Sequence, residues 1–147
     1  MNNTRIPNYN ILQTASEEDA AFILNGLITY NTHKVPLIRD LPYEPCNLVA
    51  KDSADVIIGG CVGRIYLSAL FIEFLWVENA HRKHGLGTQL LDRAEHLAKE
   101  KSCSIIHLDT FSFQAPDFYK KNGFEVFGIL DGYPDGICRY YLKKTLV

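Results

Sequence analysis

None of the four cysteines, Cys46, Cys61, Cys103 and Cys138, stands close enough to another to form a Cys-x-x-Cys pair. That spacing excludes the usual zinc-ligand layouts and fits reduced, mostly buried thiols in a cytoplasmic protein. Long apolar runs are missing as well. The longest, "LSALFIEFLWV", is interrupted by Glu73 and falls short of the ~20 residues that span a bilayer. The stretch "MNNTRIPNYN" has no apolar core of signal-peptide length. No membrane partner is therefore expected. Nor is there a surplus of positive charge: 15 Lys and Arg stand against 17 Asp and Glu, a formal net charge of -2. Nucleic-acid binding rests on clustered cations facing phosphates, so that class is set aside. With no internal repeat, low-complexity tract or linker, 147 residues at 47% hydrophobic read as one domain, residues 1–147, with a sizeable core.

The elements follow from period and punctuation. Ser16 before Glu17, Glu18 and Asp19 reads as an N-cap with an acidic first turn. Ala20, Ile23, Leu24, Leu27 and Ile28 recur at helical spacing, and this helix should end near His33, before Pro36. "KVPLIRDLPYEP" reads as an irregular surface loop. "NLVAKD" and "DVIIGGCVGRIYL" flank Ser53 and Ala54 as a hairpin, and "FIEFLWV", apolar on both faces, reads as a central, doubly covered strand. A second helix carries Leu90, Leu91, Ala94, Leu97 and Ala98 on one face and charged residues on the other. "SIIHLDTF" is a strand. "QAPDFYKKNGF" is a short helix with Pro116 in its first turn and Gly123 at its C-terminal cap. "EVFGIL" and "GICRYYLKKTL" are two last strands joined across "DGYPDG". The order predicts an α/β fold with a mixed, mostly antiparallel central sheet and helices on both faces.

The densest chemistry lies in "HRKHGLGTQLL". Arg82, Gly85 and Gly87 form R-x-x-G-x-G after a strand and before a helix. A helix start leaves backbone N–H groups unpaired and carries the positive end of the dipole. Glycine lets the chain bend and lets an anion approach it. Arg82, Lys83 and His84 add charge, and Thr88 adds a hydroxyl, so the stretch reads as a pyrophosphate cradle. Simple turn chemistry is the competing reading, which the motif alone does not remove. The stretch lacks the Gly-Lys-Ser/Thr run of a Walker loop, and Leu90 stands where a dinucleotide fingerprint needs a small residue. His81 and His84 lack further placed ligands, so no metal is expected.

"FLWVENAHRKHGLGTQLLDRAEHLAKEKSC", then "IIHLDT", then "APDFYKKNGFEVFG", resembles the GCN5-related N-acetyltransferase (GNAT) family over about residues 71–143. The resemblance rests on R-x-x-G-x-G and on A-x-x-F-Y-x-K-x-G-F, in that order and with the intervening elements the family requires. It implies acetyl-CoA as donor. It implies that the backbone of Leu75, Trp76 and Val77 bonds the pantetheine arm, and that amides of Lys83, His84, Gly85, Leu86, Gly87 and Thr88 hold the pyrophosphate. It also implies that "FIEFLWV" and "SIIHLDTF" splay apart around the cofactor. One departure stands out: Ser112 occupies a position where the family often has a cofactor-contacting Asn, though it keeps a hydrogen-bonding group.

Acetylation of an amine needs a base for an ammonium whose reference pKa is about 10.4 and benefits from an acid at the departing thiolate. The resemblance places Tyr119 as that acid; the alternative is a core aromatic like Phe118. Glu73 is the candidate base, because strict alternation puts Phe71, Glu73, Leu75 and Val77 on one face, where apolar neighbours desolvate the carboxylate. The alternatives are a strand glutamate paired with Arg64, a base acting through water, or Asp109. Neither Cys61 nor Cys103 has the basic setting of a nucleophile, so direct transfer without an acyl-enzyme is expected. The expected acceptor is a primary amine of a small molecule or peptide, met by Asp40, Tyr43 and Glu44 or by Asp131, Tyr133 and Asp135. A non-catalytic acyl-CoA-binding or interaction domain is the alternative. "RYYLKKTL" reads as a sheet edge able to pair between two copies, so a homodimer is a further expectation.

Overall fold

The computed structural model describes residues 9–13, 16–40 and 43–146. Most of "MNNTRIPNYN", together with residues 41–42 of the expected proline-rich loop, lies outside them. The chain divides into two compact units, residues 1–39 and 40–147.

In the first unit Ser16 caps helix α1 (Glu17–Lys34). Its hydroxyl accepts from the Asp19 amide at 3.1 Å, and the Asp19 carboxylate accepts from the Ser16 amide at 2.9 Å. This reciprocal box satisfies two of the amides that a helix start leaves over. Acidic residues in the first turn and His33 and Lys34 in the last suit the dipole.

The second unit is built on six strands: β1 (Glu44–Lys51), β2 (Ile57–Tyr66), β3 (Ala69–Val77), β4 (Ile105–Phe111), β5 (Glu125–Leu130) and β6 (Arg139–Thr145). Their order is β1-β2-β3-β4-β6-β5. Only β3 and β4 are parallel, joined through α2 (Leu86–Glu100); the other pairs are antiparallel. The β1–β2 turn is held by the Asp52 carboxylate, which accepts from the amides of Ala54 and Val56, each at 2.9 Å. The short helix α3 (Pro116–Lys121) begins with Pro116 at its first turn and gives way to Gly123 at φ 85°.

One sheet face carries the core. Cys61, Ile65, Leu70, Ile106, Leu108 and Leu142 project from it and are almost fully buried. Leu90, Leu91, Ala94 and Ala98 cover them from α2, at the period the sequence shows. Each large aliphatic side chain buried here contributes about 1.5–3 kcal/mol. On the same side Lys144 of β6 reaches Glu95 of α2 at 2.5 Å, so the charged flank of α2 is tied to the sheet at one point.

The C-terminal strand is not an edge. β6 inserts between β4 and β5, and β5 takes the outer position. The turn through Pro134–Gly136 folds the chain back inward, so both ladders of β6 are used. The premise for pairing two copies through "RYYLKKTL" is therefore lost.

Candidate active site

β3 and β4 lie side by side only over residues 69–72 and 105–108. Beyond the Ile72–Leu108 pair the strands carry no mutual pairing, so they part toward their carboxyl ends. The crevice outside the carboxyl ends of parallel strands is the general ligand position in α/β sheets. The first residue past the last pair is Glu73 on β3 and Asp109 on β4.

A β-bulge sits at the same place. Val62 pairs with Phe74 and Gly63 with Ile72, which leaves Glu73 as the extra residue of β3. Gly63 makes this approach feasible, because a Cβ there would collide with the Phe71 carbonyl. A bulge shifts the strand's alternation by one. The expected shared face of Phe71, Glu73, Leu75 and Val77 fails for this reason. Leu75 and Val77 pack on the core, like Leu70 and Ile72 before the bulge, whereas Phe74 and Trp76 are exposed. Glu73 forms an ion pair with Arg64 of β2. Arg64 lies over the Phe71 ring at 5.2 Å, and Phe71 stacks on His107 at 4.9 Å. Burial, with Arg64 nearby, holds His107 below its usual range.

After Val77 the chain makes a short 3-10 turn, Asn79–His81. Glu78 caps it, accepting from the Ala80 amide at 2.9 Å and contacting His81 Nδ1 at 3.0 Å. The His81 contact is the largest cause holding the Glu78 carboxyl below its ordinary value. Arg82 then donates from Nε to the Val77 carbonyl at 2.8 Å. This tie between the loop and the end of β3 could not be read from the sequence, where Arg82 counted only as charge for a phosphate.

Lys83 and Gly85 both adopt left-handed backbone, at φ 64° and 85°. Among the described residues the amides of Lys83, His84 and Gly85 meet no acceptor. Those of Leu86, Gly87 and Thr88 open α2, where helix geometry supplies none. The first helical bond runs from the Gln89 amide to the Gly85 carbonyl at 3.0 Å. Residues 83–88 thus offer unspent N–H groups at the positive end of a helix, with Lys83 and His84 exposed beside them. Gly87 matters for packing instead, since a Cβ there would lie 3.0 Å from the Phe118 ring; glycine lets α3 close on the first turn of α2. The residues present fit a diphosphate.

Tyr119 projects from α3 into the core, 8% exposed, with Phe118 and Phe124 edge-on at 5.2 and 5.9 Å. Burial, then Cys61 and Asp109, push its hydroxyl up to about 12. The acid reading and the core-aromatic reading are therefore not exclusive: the ring is core, and its hydroxyl keeps its proton. Burial also raises the thiols of Cys46, Cys61 and Cys103, with Cys61 pushed up to about 12. None of the three is a ready nucleophile.

Ser112 is engaged away from the cradle. Its hydroxyl accepts from the Cys138 amide at 3.2 Å, and its own amide donates to the Cys138 carbonyl at 2.8 Å. Gln114, unnoticed in the sequence, braces the same end of β4: its Oε1 accepts from Thr110 Oγ1 at 3.0 Å and from the Phe111 amide at 2.8 Å. Asp109 is held by Arg139, whose Nε and Nη2 both reach Oδ1 at 2.6 Å. Of the expected acceptor loops, Glu44 pairs with Lys101 at the far end of α2 from the cradle, and Tyr43 packs on Tyr66 there. Tyr133 lies instead against Phe111, at the carboxyl end of β4 where the strands part.

Among the described residues no group of three His, Cys, Asp or Glu gathers as a metal site, and no helix is long and apolar enough to cross a membrane.

The parted strands and the unbonded amides before α2 fit a transferase that takes an acyl-CoA donor, and the class itself comes from comparison with known proteins. The pattern of the Acetyltransferase (GNAT) family matches residues 10–124. The blasticidin-S acetyltransferase of Streptomyces morookaense is 33% identical over 114 residues, covering 77% of this chain and 84% of that one. A Bacillus cereus acetyltransferase crystal structure superposes at TM-score 0.84 with 37% identity, covering 93% of this chain and 98% of the other. A Bacillus anthracis acetyltransferase solved with acetyl coenzyme A shares the fold at TM-score 0.62 and 24% identity, over 75% of this chain and 68% of that one. This chain belongs to the GNAT family of acetyltransferases.

Proposed function

We propose that residues 1–147 act as one N-acetyltransferase domain that moves an acetyl group from acetyl-CoA directly to a primary amine of a small molecule or peptide. The observation that carries this reading is the run of unspent amides at residues 83–88, beside the point where β3 and β4 part. Residues 83–88 bind the diphosphate, and on the free edge of β3 the backbone of Leu75 and Val77 receives the pantetheine amides, whereas Trp76, expected to join them, turns its backbone toward Gly60 of β2. The Val77 carbonyl is already taken by Arg82, so at that residue only the amide serves. Ser112, bonded to Cys138, acts on the cofactor through the loop it fixes.

Acetyl-CoA supplies the thioester carbon that the amine attacks. Glu73 removes the proton from the acceptor ammonium: it stands on the bulge where β3 and β4 part, and its carboxylate leaves Arg64 to do so. Tyr119 gives its Oη proton to the departing sulfur; a hydroxyl pushed up to about 12 stays protonated for that purpose at neutral pH. The protonated thiols of Cys61 and Cys103 support direct transfer. Because the Streptomyces relative is a blasticidin-S acetyltransferase, blasticidin S heads the acceptor panel, followed by tyramine, putrescine and a lysine peptide. Release of CoA thiol with any of them supports the reading. Binding of acetyl-CoA without thiol release from the whole panel would instead favour an acyl-CoA-binding module.

A further inference from the structure

Two carboxylates begin the divergent segments of the opening, and they are held differently. Glu73 sits on a bulge and is paired with Arg64. Asp109 sits on regular strand, and its neighbour across the ladder is Tyr141; Arg139 is the diagonal neighbour. Both nitrogens that Arg139 brings to Asp109 converge on one oxygen, Oδ1. Among the described residues Oδ2 accepts no hydrogen bond, although the Asp109 side chain is only 19% exposed. A half-buried carboxylate with one oxygen pinned and the other free is a preformed acceptor for an N–H donor.

The pin is packed on aromatic rings. The Arg139 guanidinium lies over Phe111 at 5.4 Å and over Tyr141 at 5.7 Å. Phe111 is stacked on Phe113 at 5.5 Å and meets Tyr133 edge-on at 5.3 Å. This aromatic setting suits a cation and a planar or apolar body attached to it. The two faces of β4 differ. Alternation along β4 buries Ile106, Leu108 and Thr110 on the core side, under α2, and leaves His107, Asp109 and Phe111 on the other. The cradle belongs to α2, whereas Asp109 and Arg139 lie on the opposite side of the sheet, next to the opening.

We propose that Asp109 binds the acceptor's ammonium through its free Oδ2, with Arg139 as the residue that positions it, so that the enzyme selects cationic amines bearing an apolar or aromatic body. The proposal rests on the acetyltransferase reading above and assigns Asp109 to acceptor binding, separate from proton removal at Glu73.

The test is steady-state kinetics with whichever panel amine wild type turns over, together with calorimetric titration of acetyl-CoA. Asp109→Asn keeps the shape and removes the charge. It should raise KM for the amine about 10- to 100-fold, the loss expected for a charge-assisted hydrogen bond, and leave acetyl-CoA affinity unchanged. Arg139→Gln, which frees Oδ1 and lets the carboxylate turn, should raise amine KM less, and Arg139→Lys should restore part of it. If Asp109→Asn fails to fold, as its circular dichroism spectrum and thermal melt would report, the Arg139 variants carry the test. An unchanged amine KM in the folded variants, or an equal loss of acetyl-CoA affinity, overturns the proposal while the acetyltransferase reading stands. If wild type turns over no panel amine, both fall together.

Discussion

Replacing Tyr119 by Phe removes one oxygen from a ring that is otherwise packed as core, so its consequences separate chemistry from architecture. The ring is 8% exposed and held edge-on by Phe118 and Phe124, contacts that phenylalanine keeps. Acetyl-CoA affinity and stability at neutral pH should therefore change little. The rate should not survive. Loss of a positioned general acid costs 10²–10⁴-fold, so thiol release at pH 8 should fall by about that factor in kcat. The structure gives a second, independent magnitude. The hydroxyl lies at about 12 in the folded chain against 10.0 for a free tyrosine. Because the folded value is the higher, the folded state holds this proton more tightly between pH 10 and 12. The associated stability is fully present below pH 10 and is lost as pH rises through 12, by roughly 3 kcal/mol. Cys61 is present in both proteins, so the difference between wild type and Tyr119→Phe reports the tyrosine together with its coupling to Cys61. Urea melts of both proteins at pH 9 and pH 11.5 measure it. An unchanged rate refutes the acid role. Melts whose difference does not move with pH refute the desolvated hydroxyl.

Other expectations follow from the cradle and the thiols. Gly85→Ala meets nothing closer than the Gln89 Nε2 at 3.9 Å, so its cost is backbone alone, about 1–2 kcal/mol for φ 85°, seen in thermal melts alongside weaker acetyl-CoA binding. Gly87→Ala is the reverse case: helix propensity favours alanine by about 1 kcal/mol, but the Phe118 ring 3.0 Å away must yield, so KM for acetyl-CoA should rise as α3 is displaced. Titration of the native protein with a thiol reagent should label Cys138 promptly and Cys46, Cys61 and Cys103 only on unfolding, and rapid labelling of Cys61 would contradict its burial.

Much of the fold was legible because its signals are local. The Ser16 cap, the apolar stripe of α2, Pro116 and Gly123 around α3, and the hairpin turn at Ser53 and Ala54 all follow from short-range rules. The tight bend before α2 was legible for the same reason, from its two glycines, although Gly87 serves packing on Phe118. What the sequence hid is long-range. Alternation along "FIEFLWV" looks regular, and only pairing with β2 shows that Glu73 is an extra residue, opposite a glycine that cannot carry a Cβ. The inward return of β6 depends on which neighbour wins a ladder, and a hairpin reads the same at an edge or beside it. The ties from Arg82 to Val77 and from Arg139 to Asp109 join residues whose separate roles looked sufficient without them.

The most direct test of the account is the amide spectrum of the protein titrated with coenzyme A. The account predicts that the backbone N–H signals of residues 83–88, free of protein acceptors, move together and saturate at one coenzyme A per chain, with those of Leu75 and Val77 following. Saturable shifts confined to other segments, or no shifts in folded protein, would contradict it.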